Sequence, residues 1–280
     1  MTVLQAILLG LIQGLTEFLP VSSSGHLSIF QNFFGMQTAE DGSLLFDVLL
    51  HLGTLASVCA AYRRDIAEIV ADCVGFVQTA GQRMAPGGEG RRFYGARVLL
   101  MMFFATLPLF LILPVHDYIE RLYYSTVFIG LALILTGAML YVSDRMARGR
   151  KTGKTMGIWD ALLIGVCQAI ATLPGLSRSG TTITAGIATG LDRRFAVKFS
   201  FLISIPAVLG ANLLSLVKAF REGVDWISFP AYLLGMITAA VVGYFAIGLV
   251  QYLVKKDKFG YFAYYCAGVG VLTLLLSIIL

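Results

Sequence analysis

Charged residues are scarce in this sequence. They make up 13% of its 280 residues, whereas hydrophobic residues make up 58% and the mean hydropathy is +0.81. Soluble globular domains average roughly 25% charged residues, so this deficit excludes an ordinary soluble domain. We therefore predict an all-α polytopic membrane protein that forms a single integral membrane domain over residues 1–280.

Cysteine is also rare, and the four cysteines form no CxxC pair. Three of them lie in apolar segments, where a free cysteine behaves as a small hydrophobic residue. This pattern excludes a disulfide framework and a zinc site. The beginning of the chain also lacks the basic leader and small-residue cleavage site of a signal peptide and contains Glu17, so we expect it to be retained.

Long apolar segments dominate what remains. A membrane-spanning helix needs about 20 apolar residues, and six segments are long enough: 44–62, 97–114, 124–142, 198–217, 229–250 and 260–279. Two further apolar segments, 3–17 and 158–172, are shorter, and each runs into Leu-Pro. At 1.5 Å per residue they cover roughly 22 Å, which is too short for the hydrocarbon core.

Basic residues are concentrated in a few loops. Most of the 21 lysines and arginines lie in four clusters, at 63–97, 145–154, 193–198 and 255–258. Positive loops on the cytoplasmic face explain the net charge of +5 better than binding to nucleic acid does. This orientation requires both short segments to turn back to the face from which they enter. We therefore predict six transmembrane helices plus two re-entrant helical hairpins, and a surface-lying cytoplasmic connection over 72–96.

The chain also repeats itself. The stretch "GLIQGLTEFLPVSSSG" (10–25) parallels "GVCQAIATLPGLSRSG" (165–180), with one residue inserted between the proline and the serines. Three spans follow each copy. Two repeats of opposite orientation, each with a broken helix, are typical of secondary transporters. We predict an inverted-topology repeat, with repeat 1 at about 1–143 and repeat 2 at about 158–280.

The first break brings a carboxylate and an imidazole to membrane depth. Gln13 and Glu17 are four residues apart and share one helix face. A carboxylate costs free energy to keep within the membrane and is therefore a functional candidate. His26 lies near the first turn of the returning helix, where an imidazole transfers a proton or attacks phosphorus. The helix start itself offers hydroxyl and N–H groups to a phosphate, at Ser22, Ser23, Ser24 and Gly25.

The second break contributes a positive charge. Arg178 lies between Ser177 and Ser179, and Gly180 and Thr182 follow. A guanidinium flanked by hydroxyls binds phosphate oxygens in a bidentate way. A backbone break within the membrane is tolerated where it is buried in protein or lines a wet cavity. We therefore expect both breaks to face one polar chamber.

Structural interpretations stand beside these functional ones. Glu17 and Arg178 also fit a structural ion pair between the repeats, and the serines also fit simple helix caps. Asp47 and His51, four residues apart, either line the chamber or pair with each other. His116 lies in an external loop, and we expect it to be solvated.

At these residues the chain resembles the undecaprenyl pyrophosphate phosphatase family, also called bacitracin-resistance proteins. The resemblance covers nearly the whole chain. The first family motif is Glu/Gln-x-x-x-Glu, here Gln13 and Glu17, followed by "FLPVSSSGH". The second is Pro-Gly-x-Ser-Arg-Ser-x-x-Thr, here Pro174, Gly175, Ser177, Arg178, Ser179 and Thr182.

The resemblance implies hydrolysis of undecaprenyl pyrophosphate to undecaprenyl phosphate and inorganic phosphate, which recycles the lipid carrier of bacterial cell-wall synthesis and gives bacitracin resistance. It implies a multi-pass protein of the inner membrane, with an active site facing the periplasm or exterior. It also implies dependence on Mg²⁺ or Ca²⁺, membrane lipid as surroundings, and a tendency to form homodimers.

The resemblance also implies roles for individual residues. Glu17 is expected to be a catalytic or metal-associated carboxylate, Ser23 and His26 to be catalytic, and Arg178 with its neighbouring hydroxyls to hold phosphate. Gln13 stands where one form of the motif has Glu, which leaves one anionic metal ligand fewer. The nucleophile stays open between His26, Ser23 and water, and we favour His26 because no base for a serine is evident.

Two other functions remain open on the sequence alone. The inverted repeat with midplane breaks directly favours a transporter or lipid flippase. A structural membrane scaffold is the third possibility, but it leaves Glu17 and Arg178 without a role.

Overall fold

The computed structural model describes residues 1–34, 44–79, 94–223, 225–256 and 258–279. Within these ranges the chain forms twelve α-helices and one 3-10 helix. In chain order the α-helices are α1 (Val3–Phe18), α2 (Ser23–Phe34), α3 (Leu44–Ala61), α4 (Arg63–Thr79), α5 (Tyr94–Thr106), α6 (His116–Leu122), α7 (Thr126–Arg145), α8 (Ile158–Ile170), α9 (Arg178–Ala188), α10 (Arg193–Glu222), α11 (Phe229–Lys255) and α12 (Tyr261–Ile279). The prediction of an all-α membrane protein is confirmed.

Six helical segments are long and apolar enough to cross a membrane: Leu44–Ala61, Tyr94–Leu122, Thr126–Arg145, Arg193–Arg221, Phe229–Lys255 and Tyr261–Ile279. They match the six predicted spans, although several are longer. The segment predicted at 97–114 is not one regular helix. It changes from α5 into a 3-10 helix at Leu107–Val115 and then into α6, because Pro108 and Pro114 lack the N–H that an α-helix needs.

The two short apolar segments form helices α1 and α8, as expected. Helix α1 ends at Phe18 because Leu19, which precedes Pro20, is extended at φ −63° and ψ 140°. Helix α8 ends at Ile170, a few residues before Pro174. Each is followed by a tight turn and a second short helix, α2 or α9.

The two halves of the chain pack by the same plan. Helix α1 lies against α11, and α8 lies against α5. At the first contact Gly10 faces the backbone of Gly235, and at the second Gly165 faces the backbone of Ala105. Gly10 and Gly165 occupy the same position in the repeated motif, so equivalent glycines make equivalent close helix contacts. Helices α7 and α12 also pack against each other.

Contacts bring together described residues in or beside three of the four basic clusters, at what we call the basic end of the bundle. Lys198 pairs with Asp65, which joins the beginning of α10 to α4. Arg193 pairs with Asp144 at 3.3 Å, and the Arg97 guanidinium donates to the Met156 carbonyl at 2.8 Å. These contacts connect loops that are distant in sequence.

The beginning of α8 and the end of α9 lie at this basic end together. Lys151 pairs with Asp160, in the first turn of α8, at 3.0 Å. Its backbone N–H also donates to the carbonyl of Gly190, just after α9, at 2.9 Å. Of the predicted connection at 72–96, residues 72–79 belong to α4, whereas 80–93 lie outside the described residues.

Candidate active site

The first tip, residues 19–25, links α1 to α2 through a strained serine. Ser22 has φ +70°, in the left-handed region that non-glycine residues rarely adopt. Its Oγ accepts a hydrogen bond from the N–H of Gly25 at 3.2 Å and therefore caps α2. The N–H groups of Ser23 and Ser24 have no hydrogen-bond partner within the described part of the chain. The start of α2 is thus left open to an anion.

The second tip, residues 171–177, links α8 to α9 and is capped in the same way. Ser177 Oγ accepts from the N–H of Gly180 at 3.1 Å. The buried hydroxyl of Thr136 on α7 donates to the Gly175 carbonyl and accepts from the Ser177 N–H, both at 3.2 Å. Gly175 has φ +88°, a conformation that glycine adopts at low cost. Thr136 therefore stabilises the turn that sets the direction of α9.

The two tips touch each other. A Cβ atom added to Gly25 would lie 3.1 Å from the Cα of Gly175, and one added to Gly180 would lie 3.2 Å from the Cβ of Pro20. Ser179 Oγ donates to the Leu19 carbonyl at 3.3 Å. The two breaks therefore meet in one place, and that they line a polar chamber stays a prediction.

Glu17 lies at the centre of this contact. Its Oε1 accepts from Nη2 of Arg178, and its Oε2 accepts from Ser23 Oγ at 2.6 Å and from Gln13 Nε2 at 3.1 Å. Only 7% of the Glu17 side chain is exposed, against 23% for Arg178, so a ligand reaches the guanidinium more easily. Four predicted residues thus form one connected cluster, in which a carboxylate is neutralised by a guanidinium and bonded to a hydroxyl.

The bond from Ser23 to Glu17 removes the argument that favoured His26 as the nucleophile. That argument held that a serine at the first break has no evident base. The structure places a carboxylate oxygen 2.6 Å from Ser23 Oγ, which is within reach for direct proton transfer. The assumption that no base was available is therefore wrong.

His26 belongs to a neighbouring set of contacts. Its Nδ1 lies 2.8 Å from the Ser22 carbonyl oxygen, and its Nε2 lies 2.9 Å from the hydroxyl of Tyr265 on α12. The two rings are nearly parallel, at 6° with centroids 5.7 Å apart. The imidazole is buried and is held at both nitrogens.

The remaining predicted hydroxyls lie around the two tips. Ser24 Oγ is 3.3 Å from Ser22 Oγ and within hydrogen-bonding reach of the Tyr123 phenol. Ser179 Oγ is 3.3 Å from Ser177 Oγ. Thr182 Oγ1 is 2.6 Å from Ser200 Oγ on α10, so it ties α9 to the next helix. That these groups bind pyrophosphate stays a prediction.

Four residues at the site were not found from the sequence: Thr136, Tyr123, Ser200 and Tyr265. Thr136, Ser200 and Tyr265 lie on helices outside the two breaks, each as a polar group within an apolar segment, whereas Tyr123 lies in the turn between α6 and α7. Polar residues at membrane depth tend to bond to other helices. That signal marks them as helix–helix contacts and does not connect them with the breaks.

Asp47 and His51 are close to each other, but not as a side-chain ion pair. His51 Nδ1 is 2.8 Å from the backbone carbonyl oxygen of Asp47. That these two side chains line the chamber stays a prediction. His116 is exposed and lies 3.4 Å from Glu120, but it begins helix α6 and does not lie in the predicted loop.

The oxygen donors at the cluster decide which metal site is chemically reasonable. Within the described ranges, no group of three or more His, Cys, Asp and Glu side chains comes together. The buried Gln13 Oε1, however, has no hydrogen-bond partner among the described residues, and it belongs to the amide whose Nε2 donates to the Glu17 carboxylate. One carboxylate and one amide oxygen fit Mg²⁺, which takes most of its ligands from water and phosphate. They do not form the 6–8 oxygen cage typical of Ca²⁺.

Comparison with known proteins gives a consistent result along the whole chain. The family model described as "Bacitracin resistance protein BacA" matches residues 6–272. The undecaprenyl-diphosphatase of Methanosphaera stadtmanae is 37% identical over 99% of both chains, and that of Alkaliphilus metalliredigens is 38% identical over the full length of both. The undecaprenyl-diphosphatase of Carboxydothermus hydrogenoformans is 40% identical over 98% of this chain and 97% of the relative.

These matches contain both tips and every helix that holds them. The chain therefore belongs to the bacitracin resistance protein BacA family.

Proposed function

We propose that this protein is an undecaprenyl-diphosphatase, which cleaves the phosphoric anhydride of undecaprenyl pyrophosphate and releases inorganic phosphate. The observation that carries the proposal is the cluster in which Glu17 contacts both Ser23 and Arg178. It combines a hydroxyl, a base and a phosphate-binding cation where two helix N-termini meet. We infer the identity of the substrate from the family, because the named relatives are undecaprenyl-diphosphatases.

Binding begins with an exchange of partners at Arg178. In the structure its guanidinium is bonded to Glu17, and a carboxylate and a phosphate present similar oxygens to a guanidinium. The terminal phosphate of the substrate takes this position and also meets the open N–H groups at the starts of α2 and α9. Glu17 then loses its counter-charge, so its affinity for a proton rises.

Chemistry follows at Ser23. Its hydroxyl proton passes to Glu17 Oε2, and Oγ forms a bond to the terminal phosphorus. The bond from that phosphorus to the bridging oxygen breaks, and undecaprenyl phosphate leaves with the electron pair. Water then attacks the phosphoserine and gives a proton to Nε2 of His26, while Ser23 Oγ leaves phosphorus and recovers its proton from Glu17. Inorganic phosphate is released, and His26 gives its proton to solvent, which restores the starting state. Arg178 stabilises the charge on the transferring group throughout.

A divalent cation fits this scheme as a cofactor. Gln13 Oε1 and Glu17 would hold Mg²⁺ together with the substrate's own phosphate oxygens. When bound, the ion would withdraw charge from the phosphoryl group. Ca²⁺ is the alternative predicted from the sequence, and replacing one ion with the other in the assay distinguishes them.

The topology that goes with this function is the one expected from the sequence. We place α1–α2 and α8–α9 as re-entrant hairpins in two inverted repeats, at about 1–143 and 158–280. Matched packing of α1 with α11 and of α8 with α5 supports this arrangement. The basic end of the bundle then faces the cytoplasm, and the site opens to the periplasm or exterior of the inner membrane. A homodimer is part of the same proposal.

Transport of the lipid without hydrolysis is the second candidate. The broken helices and the matched packing of the two halves favour it. It gives no role, however, to the 2.6 Å contact between Ser23 and a buried carboxylate. Release of phosphate in detergent, where there is no second leaflet to reach, separates the two candidates.

The central experiment measures free phosphate from purified protein, undecaprenyl pyrophosphate and Mg²⁺. We expect turnover by the wild type and a loss of about 10³-fold in Glu17→Gln and Arg178→Lys, because each removes a group that acts on the reacting phosphate. Glu120→Gln, which changes an exposed acid, is the matched control and should keep full activity. No phosphate release by folded wild-type protein would contradict the proposal.

Rapid quenching with substrate labelled in its terminal phosphate identifies the nucleophile. We expect an acid-stable phosphoserine at Ser23 and none in Ser23→Ala, since phosphoserine survives acid and phosphohistidine does not. Label on His26, detected after alkaline quenching, would assign the attack to the imidazole instead.

A further inference from the structure

Tyr265 is the one residue of α12 that reaches a candidate catalytic group among the described contacts. Its hydroxyl lies 2.9 Å from Nε2 of His26, although the two residues are 239 positions apart. Nothing in the repeated motif points to it. Its ring lies parallel to the imidazole, so Tyr265 contacts His26 through both its ring and its hydroxyl.

The contact at Nδ1 of His26 determines which ring nitrogen carries the proton in the neutral imidazole. The Ser22 carbonyl oxygen, 2.8 Å from Nδ1, accepts hydrogen bonds and cannot donate. In the neutral imidazole, Nδ1 therefore carries the proton and Nε2 carries the lone pair. The Tyr265 hydroxyl must then donate to Nε2, so it occupies the nitrogen that is needed to take a proton from water.

The position of Tyr265 lets its hydroxyl exchange His26 for another partner without moving the buried core. About half of its surface is exposed, at 48%, whereas His26 is buried. The phenol can rotate away without repacking the core, while the imidazole stays bonded to the Ser22 carbonyl. Water or a phosphoryl oxygen that accepts the tyrosine O–H would release Nε2 at the moment of reaction.

We propose that Tyr265 is a positioning residue for His26, which fixes the imidazole plane and holds its Nε2 lone pair until the hydrolytic water replaces the phenol. This inference rests on the proposed function, because it assigns the step in which Nε2 is used. Tyr265 keeps its own proton, and no bond to it forms or breaks other than the hydrogen bond.

Nitrogen NMR of protein labelled with ¹⁵N in histidine tests the contact without any turnover. The chain has three histidines, and His26→Asn assigns the signal of interest. A lone-pair nitrogen that loses a hydrogen bond shifts downfield, so we expect the Nε2 signal of His26 to move downfield in Tyr265→Phe. Tyr264→Phe is the matched control, because Tyr264 packs on Tyr141 and not on His26. The signals of His51 and His116 should not move in either variant.

Steady-state kinetics on the same proteins tests the role. Tyr265→Phe keeps the ring but loses the hydroxyl, so we expect kcat to fall about tenfold with KM changed less than twofold, and Tyr264→Phe to match the wild type. An unmoved Nε2 signal, or an unchanged kcat beside an active wild type, overturns the assignment of Tyr265. An inactive wild type overturns the proposed function, whereas the NMR result still reports whether the hydrogen bond exists.

Discussion

The two tips share a backbone plan but carry opposite chemistry. Each follows a short apolar helix, turns through a residue with positive φ and restarts a helix under a serine cap. The first tip and the residues that flank it include Glu17, Ser23 and His26, to which the proposed function assigns proton transfer and nucleophilic attack, whereas Arg178, directly after the second tip, is assigned to phosphate binding. Neither tip holds both charges, and the Glu17–Arg178 pair forms only where the two breaks meet, so the proposed function depends on the contact between them.

Exchanging the charges of Glu17 and Arg178 is the most severe test of the difference between the two tips. We expect Glu17→Arg and Arg178→Glu to lose activity by about 10³-fold or more each, and the double variant to stay at that level. The double variant restores the attraction between positions 17 and 178. It leaves Ser23 beside an arginine, however, which cannot accept the proton of the serine hydroxyl. Thermal unfolding in detergent should show the double variant recovering stability that the single variants lose.

A purely structural ion pair gives the opposite result in the same experiment. If the double variant recovers both stability and phosphate release, the tips are interchangeable and the catalytic assignment of Glu17 fails.

A small separation of the two tips should cause the next largest loss of activity. In Gly25→Ala the new Cβ meets the Cα of Gly175 at 3.1 Å, so the backbone must move. We expect a loss of about 1–3 kcal/mol in the free energy of unfolding and roughly tenfold lower activity, because misplacement of catalytic groups by less than 1 Å is costly. Activity and thermal unfolding are measured together.

Gly268→Ala is the control for this change. A Cβ at Gly268, on α12, meets no atom within 4 Å, so stability should stay the same or rise slightly. Equal effects of the two substitutions would show that the tips are not tightly packed against each other.

Removing the hydrogen bonds that hold the second tip should cause the smallest loss of activity. Thr136→Val keeps the shape of the side chain but removes its bonds to Gly175 and Ser177. We expect a loss of about 1–2 kcal/mol and a fewfold drop in activity. Thr273→Val is matched in burial and removes a bond within its own helix, so its activity should be unchanged in the same phosphate assay.

The sequence predicted most of the fold because the membrane imposes simple rules. Six spans followed from the length of apolar segments, and the two short helices followed from proline after about 15 apolar residues. The change to a 3-10 helix at Leu107–Val115 was missed, although Pro108 and Pro114 were a visible signal. Helix α4 was also missed, since its apolar residues form no continuous run.

The site was predicted as far as the repeated motif reaches. Glu17, Ser23 and Arg178 were found because polar groups at two matched breaks are unusual in an apolar chain. Tyr265 and Thr136 were not, because their contacts depend on how α12 and α7 rotate against the tips, and a single apolar helix does not encode that rotation. The partner of Ser23 was missed for a simpler reason, since a hydrogen bond across a turn depends on the unusual φ of Ser22.

The linked loops at the basic end of the bundle limit how the protein can move. Lys198 is bonded to Asp65, and Arg193 to Asp144, so these contacts fasten the start of α10 to two other helices. Opening the chamber toward the basic end would have to separate both pairs in every cycle. If substrate enters and phosphate leaves at the opposite end, as in the proposed function, both ion pairs stay intact during turnover and ions meet no continuous path across the bilayer.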